Sequence, residues 1–264
     1  MLPRSFIGTQ RCRRPGRTYN AGMEFAVLCL VALLIGVSKA GFGGGTGILV
    51  GPLLTLFFPA RAAIGLMLPM LFACDVISLY PYWRKWDTRN VLMLLPGALA
   101  GIWLGVQVLG ELDDYWLTKT IGGLAVGFAL LQVYRDWIVK TETVLTPKWG
   151  IALPIGFGTG FVSTLSHVGG LLTTMYLIPQ KLDAERFVGT TTALYFLVNL
   201  VKIPPYIAIG LLKPESFLRD LPLFPVVLLG TLLGVWLNRR VPGQWFARVV
   251  LVFVLLTGLT LLAK

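Results

Sequence analysis

The sequence predicts an all-α polytopic membrane protein made of two homologous halves. Each half holds one glycine-interrupted helix pair, read as re-entrant, and three transmembrane helices. Three observations predict it. The chain is 56% hydrophobic, only 13% charged and has a mean hydropathy of +0.77, against about 25% charged residues in an ordinary soluble domain. Its apolar runs are about 20 residues long, enough to cross roughly 30 Å of hydrocarbon, and they do not alternate as barrel strands would. Two of the runs are broken by glycine-rich turns at corresponding places.

The elements follow in order. Residues 1–22 hold five arginines, two prolines and no acid. They read as a disordered basic arm, or as sequence upstream of a true start at Met23. A cleaved signal peptide is excluded, because the apolar run continues past any h-region. Apolar segments then fall at about 24–58, 62–83, 91–110, 116–134, 149–179, 187–211, 221–238 and 246–263. Segment 24–58 would be about 52 Å long as one helix, too long for one span. Gly41-Phe42-Gly43-Gly44-Gly45-Thr46-Gly47 interrupts it, and no helix interior favours such a run. Segment 149–179 is interrupted by Ser163-Thr164-Leu165-Ser166-His167-Val168-Gly169-Gly170. Each is read as two half-length helices around a turn. Domains are set at 23–135 and 149–264, with 136–148 connecting them.

The two breaks align in an internal repeat. Ser38 falls on Ser163, Gly44-Gly45 on Gly169-Gly170, Gly65 on Gly189, Asp75 on Asn199 and Pro81-Tyr82 on Pro205-Tyr206. Pro96, Gly101 and Gly105 fall on Pro225, Gly230 and Gly234. Paired interrupted segments point to a transporter's central site. If both segments turn back, loops 84–89, 135–148, 181–186 and 239–248 share one side with eleven basic residues, against five on the other. If they cross, the bias is weak. The positive-inside rule therefore favours hairpins, and an odd number of spans per half makes the repeats inverted. The arginine-rich arm would then lie outside unless Met23 is the start.

Ionisable groups inside spans are costly, by about 2.5–3.5 kcal/mol each on insertion scales, and Lys39, Asp75, His167 and Lys202 are of this kind. Lys39 precedes the first glycine turn. The helix starts after Gly43, Gly44, Gly45 and Thr46, and after Gly169 and Gly170, offer free N–H groups to an anion. Tight packing through small residues is the alternative reading. Thr192, Tyr195, Asn199 and Lys202 share one helix face, and Asp75, Ser78 and Tyr82 make a similar stripe. Pro204-Pro205 is expected to kink or end the Lys202 helix. Two lysines and one aspartate leave the interior net positive, which favours an anion. The candidate binding set is Lys39, Gly43, Gly44, Gly45, Thr46, Ser166, His167, Gly169, Gly170, Tyr195, Asn199 and Lys202. Asp75 or His167 is the candidate coupling group, and His167 has the additional reading of a satisfied interior donor.

A hydrolase is excluded, because Ser166 and His167 are adjacent on one turn and there is no second His. Scattered basic residues without an aromatic platform exclude nucleic acid binding. Cys12, Cys29 and Cys74 have no metal or redox spacing, no nucleotide motif is present, and no cofactor or metal is expected. The partners are a small-molecule anion and the lipid bilayer, with a homo-oligomer left open.

At Gly36-Val-Ser-Lys-Ala-Gly-Phe-Gly-Gly-Gly45, Ser166-His-Val-Gly-Gly170, Leu177-Ile-Pro-Gln-Lys-Leu-Asp183, Phe187-Val-Gly-Thr-Thr191 and Asn199-Leu-Val-Lys-Ile-Pro-Pro-Tyr206, the chain resembles the TauE/SafE family of sulfite and organosulfonate transporters. The likeness covers about residues 25–263. Leu171-Leu172 departs from it, since a proline-containing stretch is frequent there in similar proteins, and this leaves the shape of the second turn open. The resemblance implies a multi-pass protein of the bacterial inner membrane that moves a sulfur-containing or related organic anion, coupled to an ion gradient. Two other readings stay open: a passive anion channel, and an anion-binding sensor or assembly protein that transports nothing.

Overall fold

A computed structural model describes residues 21–43, 49–137, 146–213, 220–238, 240 and 243–264. Gly44, Gly45, Thr46, the arm 1–20 and most of the 136–148 connection lie outside the described residues. Those described are helical and contain no strand. The helices are α1 (Ala21–Phe42), α2 (Val50–Phe57), α3 (Ala60–Leu79), α4 (Thr88–Glu111), α5 (Asp114–Trp137), α6 (Trp149–Ser166), α7 (Gly170–Leu177), α8 (Ala184–Ala208), α9 (Phe224–Asn238) and α10 (Gly243–Ala263). Among the described residues, six stretches are long and apolar enough to cross a membrane: 22–42, 60–79, 88–111, 114–134, 184–208 and 221–238.

The breaks are unequal, which corrects the half-length reading. α1 has 22 residues and α6 has 18, whereas α2 and α7 have eight each. At 1.5 Å per residue, α1 is about 33 Å long and α2 about 12 Å. No proline lies in Glu24–Phe42, and α1 runs on through Gly36 and Gly41 until Gly43, whose φ of +66° ends it. α6 ends at His167, which takes the left-handed φ of +57°. α8 runs through Pro204 and Pro205 to Ala208, so the paired prolines do not end it where the sequence suggests.

Polar caps start three of the long helices, α5 among them, where Asp113 accepts from Trp116 N (2.8 Å). Asp87 accepts from Asn90 N (3.0 Å) ahead of α4, and Asp183 from Arg186 N (2.8 Å) ahead of α8. Each of these bonds satisfies an amide that no helical carbonyl can reach.

Packing is through glycines, as expected where lipid removes the hydrophobic drive for helices to meet. α4 lies on α6. A Cβ added at Gly97, Gly101 or Gly160 would stand 2.2, 2.0 or 2.0 Å from the carbonyls of Leu153, Phe157 and Ala98. α1 lies on α9 in the same way, Gly36 against Val227 O (2.7 Å), Gly230 against Leu33 O (2.5 Å) and Gly234 against Val37 O (2.8 Å). α3 packs on α8, and α5 on α10. Large apolar side chains such as Trp103, Trp116, Leu130, Leu229 and Phe253 face outward.

Polar contacts gather at the helix ends. Around the start of α4, Lys85 meets Glu185 (2.7 Å), Arg186 meets Asp87 (3.2 Å), Asn90 donates to Gln180 (2.8 Å) and Arg89 to Pro147 O (3.3 Å). Around the far end of α4, Arg61 N donates to Asp114 (3.0 Å) and its guanidinium to Leu109 O and Leu112 O. Nearby, Lys119 bonds Leu262 O and Lys264 bonds Leu56 O.

Candidate functional site

Where α1, α3, α6, α7 and α8 meet, a small cavity of about 20 Å³ is lined by Ser38, Lys39, Ser163, His167, Tyr195 and Asn199, with Gly170 and apolar Met67 and Leu71 among the remaining wall. Room on this scale holds about one water molecule.

Lys39, in the last turn of α1, forms an ion pair with Asp75 of α3. Its ammonium also reaches Leu71 O (3.5 Å) and lies 5.4 Å from the Tyr195 ring centre. Asn199 of α8 donates to the other oxygen of Asp75 (2.7 Å). Asp75 is 1% exposed and Lys39 8%.

Lys202 is 0% exposed. It donates to Ser163 Oγ (3.0 Å), Ser163 O (3.2 Å) and His167 Nδ1 (3.2 Å). An ammonium has donors only, so His167 Nδ1 is the acceptor and Nε2 carries the ring hydrogen. Nε2 then donates to Ile64 O at 3.0 Å. Both ring nitrogens of His167 are thus engaged within the protein.

All three ammonium donors of Lys202 meet neutral acceptors. Among the described residues no carboxylate pairs with it, while Lys39 and Asp75 cancel. A buried ammonium without a counter-charge is costly, so an anion in the cavity would stabilise Lys202 in its charged form.

The fold brings together most of the residues marked by the sequence. Lys39, His167, Gly170, Tyr195 and Asn199 line the cavity, with Lys202 and Asp75 directly behind it. Ser166 does not join them: its hydroxyl turns back to Val162 O (2.9 Å), and Ser163 takes that place. Gly169 packs on α6, where a Cβ would stand 2.4 Å from Thr159 O. Gly43 packs on Phe187 and Thr191 of α8. Thr192 and Ser78 are buried, as the stripes require. Thr173, in the first turn after Gly169-Gly170 where the sequence also places an anion site, links Tyr195 OH (3.0 Å) to Thr159 (3.2 Å), a residue that sequence reasoning missed. That reasoning also passed over Tyr206 as a partner of the second break, though the repeated Pro-Tyr pair marks the position. Among the described residues, no three His, Cys, Asp or Glu side chains come together to hold a metal.

Residues 28–261 match the family model described as sulfite exporter TauE/SafE. The chain belongs to this family. A TauE/SafE chain is a membrane transporter, which agrees with the apolar helices and the buried polar site. Among curated proteins, one of Methanocaldococcus jannaschii named as a probable membrane transporter protein is 23% identical over 243 residues, covering 81% of this TauE/SafE chain and 86% of that relative. No solved structure matches it.

Proposed function

We propose that this TauE/SafE transporter carries a small sulfur-containing or organic anion through the cavity between Lys39 and Lys202, in the cell membrane and coupled to an ion gradient. The observation that carries the reading is Lys202. It is fully buried, held by neutral acceptors and paired with no carboxylate among the described residues, so a bound anion would supply its counter-charge. Lys39 adds a second cation that can turn from Asp75 to the substrate. A cavity with room for about one water favours a carrier over an open channel, because a channel needs a passage wide enough for its ion.

Asp75 is the better coupling group of the two candidates. Its carboxylate sits between Lys39 and Asn199 and is in direct competition with a substrate for Lys39. His167 is held at both nitrogens and serves to position Lys202.

Two inverted halves with re-entrant pairs α1–α2 and α6–α7 suit the contacts. α4 on α6 and α9 on α1 use matching glycines: Gly101 meets Phe157 O as Gly230 meets Leu33 O, and Gly160 meets Ala98 O as Gly36 meets Val227 O. α7 returns along α6, with Thr173 beside Thr159, and both outer ends of that pair reach the start of α4 through Pro147–Arg89 and Gln180–Asn90.

Flux of sulfite and of a small sulfonate into proteoliposomes, with and without an imposed pH gradient, tests the proposal. Gradient-dependent accumulation is expected, and Lys202→Ala should abolish it while expression survives. Normal flux in Lys202→Ala would remove the site assignment.

A further inference from the structure

Helix C-termini leave carbonyls without intrahelical partners, and buried ones must find donors elsewhere. The ends of α1 and α6 solve this alike. The Lys39 carbonyl accepts from Gly43 N (3.0 Å) and the Ser163 carbonyl from His167 N (3.0 Å). The next carbonyl in each case is taken by a tyrosine. Tyr82 OH donates to Ala40 O at 2.7 Å, and Tyr206 OH to Thr164 O at 2.6 Å; each tyrosine lies 42 residues after the carbonyl it holds. Both side chains are buried, at 3% and 0% exposure.

The gripped carbonyls belong to the residues immediately after Lys39 and Ser163, the two that bring the ends of α1 and α6 to the cavity. The tyrosines stand at different ends of the molecule. Tyr82 is in the turn after α3, beside the Lys85–Glu185 and Arg186–Asp87 pairs. Tyr206 is in the last turn of α8, near Leu211, whose carbonyl lies against Gly65 near the start of α3. In this structure both bonds are made.

We propose that Tyr82 and Tyr206 are paired gate latches, positioning residues that each close one exit from the cavity by holding the end of α1 or of α6. Opening toward the Lys85–Glu185 end requires the end of α1 to leave Tyr82. Opening toward the Arg61–Asp114 end requires the end of α6 to leave Tyr206. Removing one hydroxyl favours one open state and disfavours the other. The inference rests on reading the cavity as the transport site, but it does not depend on which anion is carried.

The test is accessibility. Leu71→Cys places a reporter in the cavity wall, in a background where Cys12, Cys29 and Cys74 are replaced by Ala. A membrane-impermeant maleimide is added from one face or the other of oriented vesicles. Tyr82→Phe should raise labelling from the face bearing residues 84–89 and lower it from the opposite face, and Tyr206→Phe should do the reverse. The expected change is about fivefold, the population shift that one hydrogen bond of ordinary strength supports, and the double variant should return toward the parent ratio. A purely structural role would change yield without a directional split. Equal shifts in both variants, or unchanged labelling, would overturn the proposal. Where a Phe variant does not purify as a single species, the Leu variant, which also lacks the hydroxyl donor, is measured and judged by the same outcomes. A failure here with Lys202→Ala still inactive would discard the latches and leave the site assignment standing.

Discussion

The Lys39–Asp75 pair is the most discriminating place to perturb the molecule, because it separates stability from transport. Asp75→Asn keeps the shape, and its amide oxygen can still accept from Asn199. It leaves the Lys39 ammonium with Leu71 O at 3.5 Å and the Tyr195 ring. Lys39→Met leaves the carboxylate with Asn199 alone. Removing one partner of a buried pair costs about 3–5 kcal/mol, whereas replacing both with neutral groups of similar volume is often neutral or stabilising. Each single variant should therefore lower the unfolding midpoint by roughly 6–20 °C, taking about 2–4 °C per kcal/mol for a chain of this size. The double variant Lys39→Met/Asp75→Asn should lie within about 5 °C of the parent. The assay is tryptophan fluorescence during heating in detergent, at one fixed scan rate because the unfolding is irreversible. Additive losses in the double variant would refute the reasoning, since they would mean that the two charges do not compensate one another. The double variant should still be a poor transporter, having regained stability without regaining the cation.

Three further predictions concern other parts of the structure. Lys202→Met should weaken anion binding by about 10²–10³-fold, the range that one partly screened buried charge at about 4 Å supports; calorimetry with sulfite checks it, and an unchanged affinity would contradict the charge count. His167→Val should destabilise by about 2 kcal/mol or more, because a branched residue is forced to a left-handed backbone and the Ile64 and Lys202 bonds are lost; His167→Asn, which tolerates that backbone, should cost less by thermal unfolding. Gly101→Ala should sharply reduce folded protein in the membrane because its Cβ would meet Phe157 O at 2.0 Å, while Gly123→Ala, which meets nothing within 4 Å, should be silent by fluorescence-detected chromatography.

The helical membrane class was legible because apolar runs of spanning length admit no other packing in lipid. The charged residues were legible for the opposite reason: in such a run each lysine or aspartate is expensive enough to need an account. The repeat pointed to Tyr82 and Tyr206 as equivalent positions but not to their work, because a backbone carbonyl leaves no trace in a sequence. Ser163 and Ser166 show the limit most sharply. They lie three residues apart near the end of α6, and only the rotation of that helix against α4 and α8 decides which meets Lys202. The lengths of the broken helices were also hidden. A glycine run marks where a helix stops, but how far the preceding arm extends depends on where packing lets it start.

The bond between Asn199 and Asp75 joins two positions that the proposed internal repeat puts in the same place in its two halves. If the chain arose by such a duplication, an ancestor assembled from two identical single-half chains would have set one residue type face to face with itself across the axis. Two aspartates at hydrogen-bonding distance cannot both hold their charge, and two asparagines can pair but bring none. Fusion into one chain releases this constraint, since each copy of the position then mutates alone. One negative charge can be kept at the centre of a nearly symmetric molecule, available to a single lysine, only because the two halves are no longer obliged to be the same.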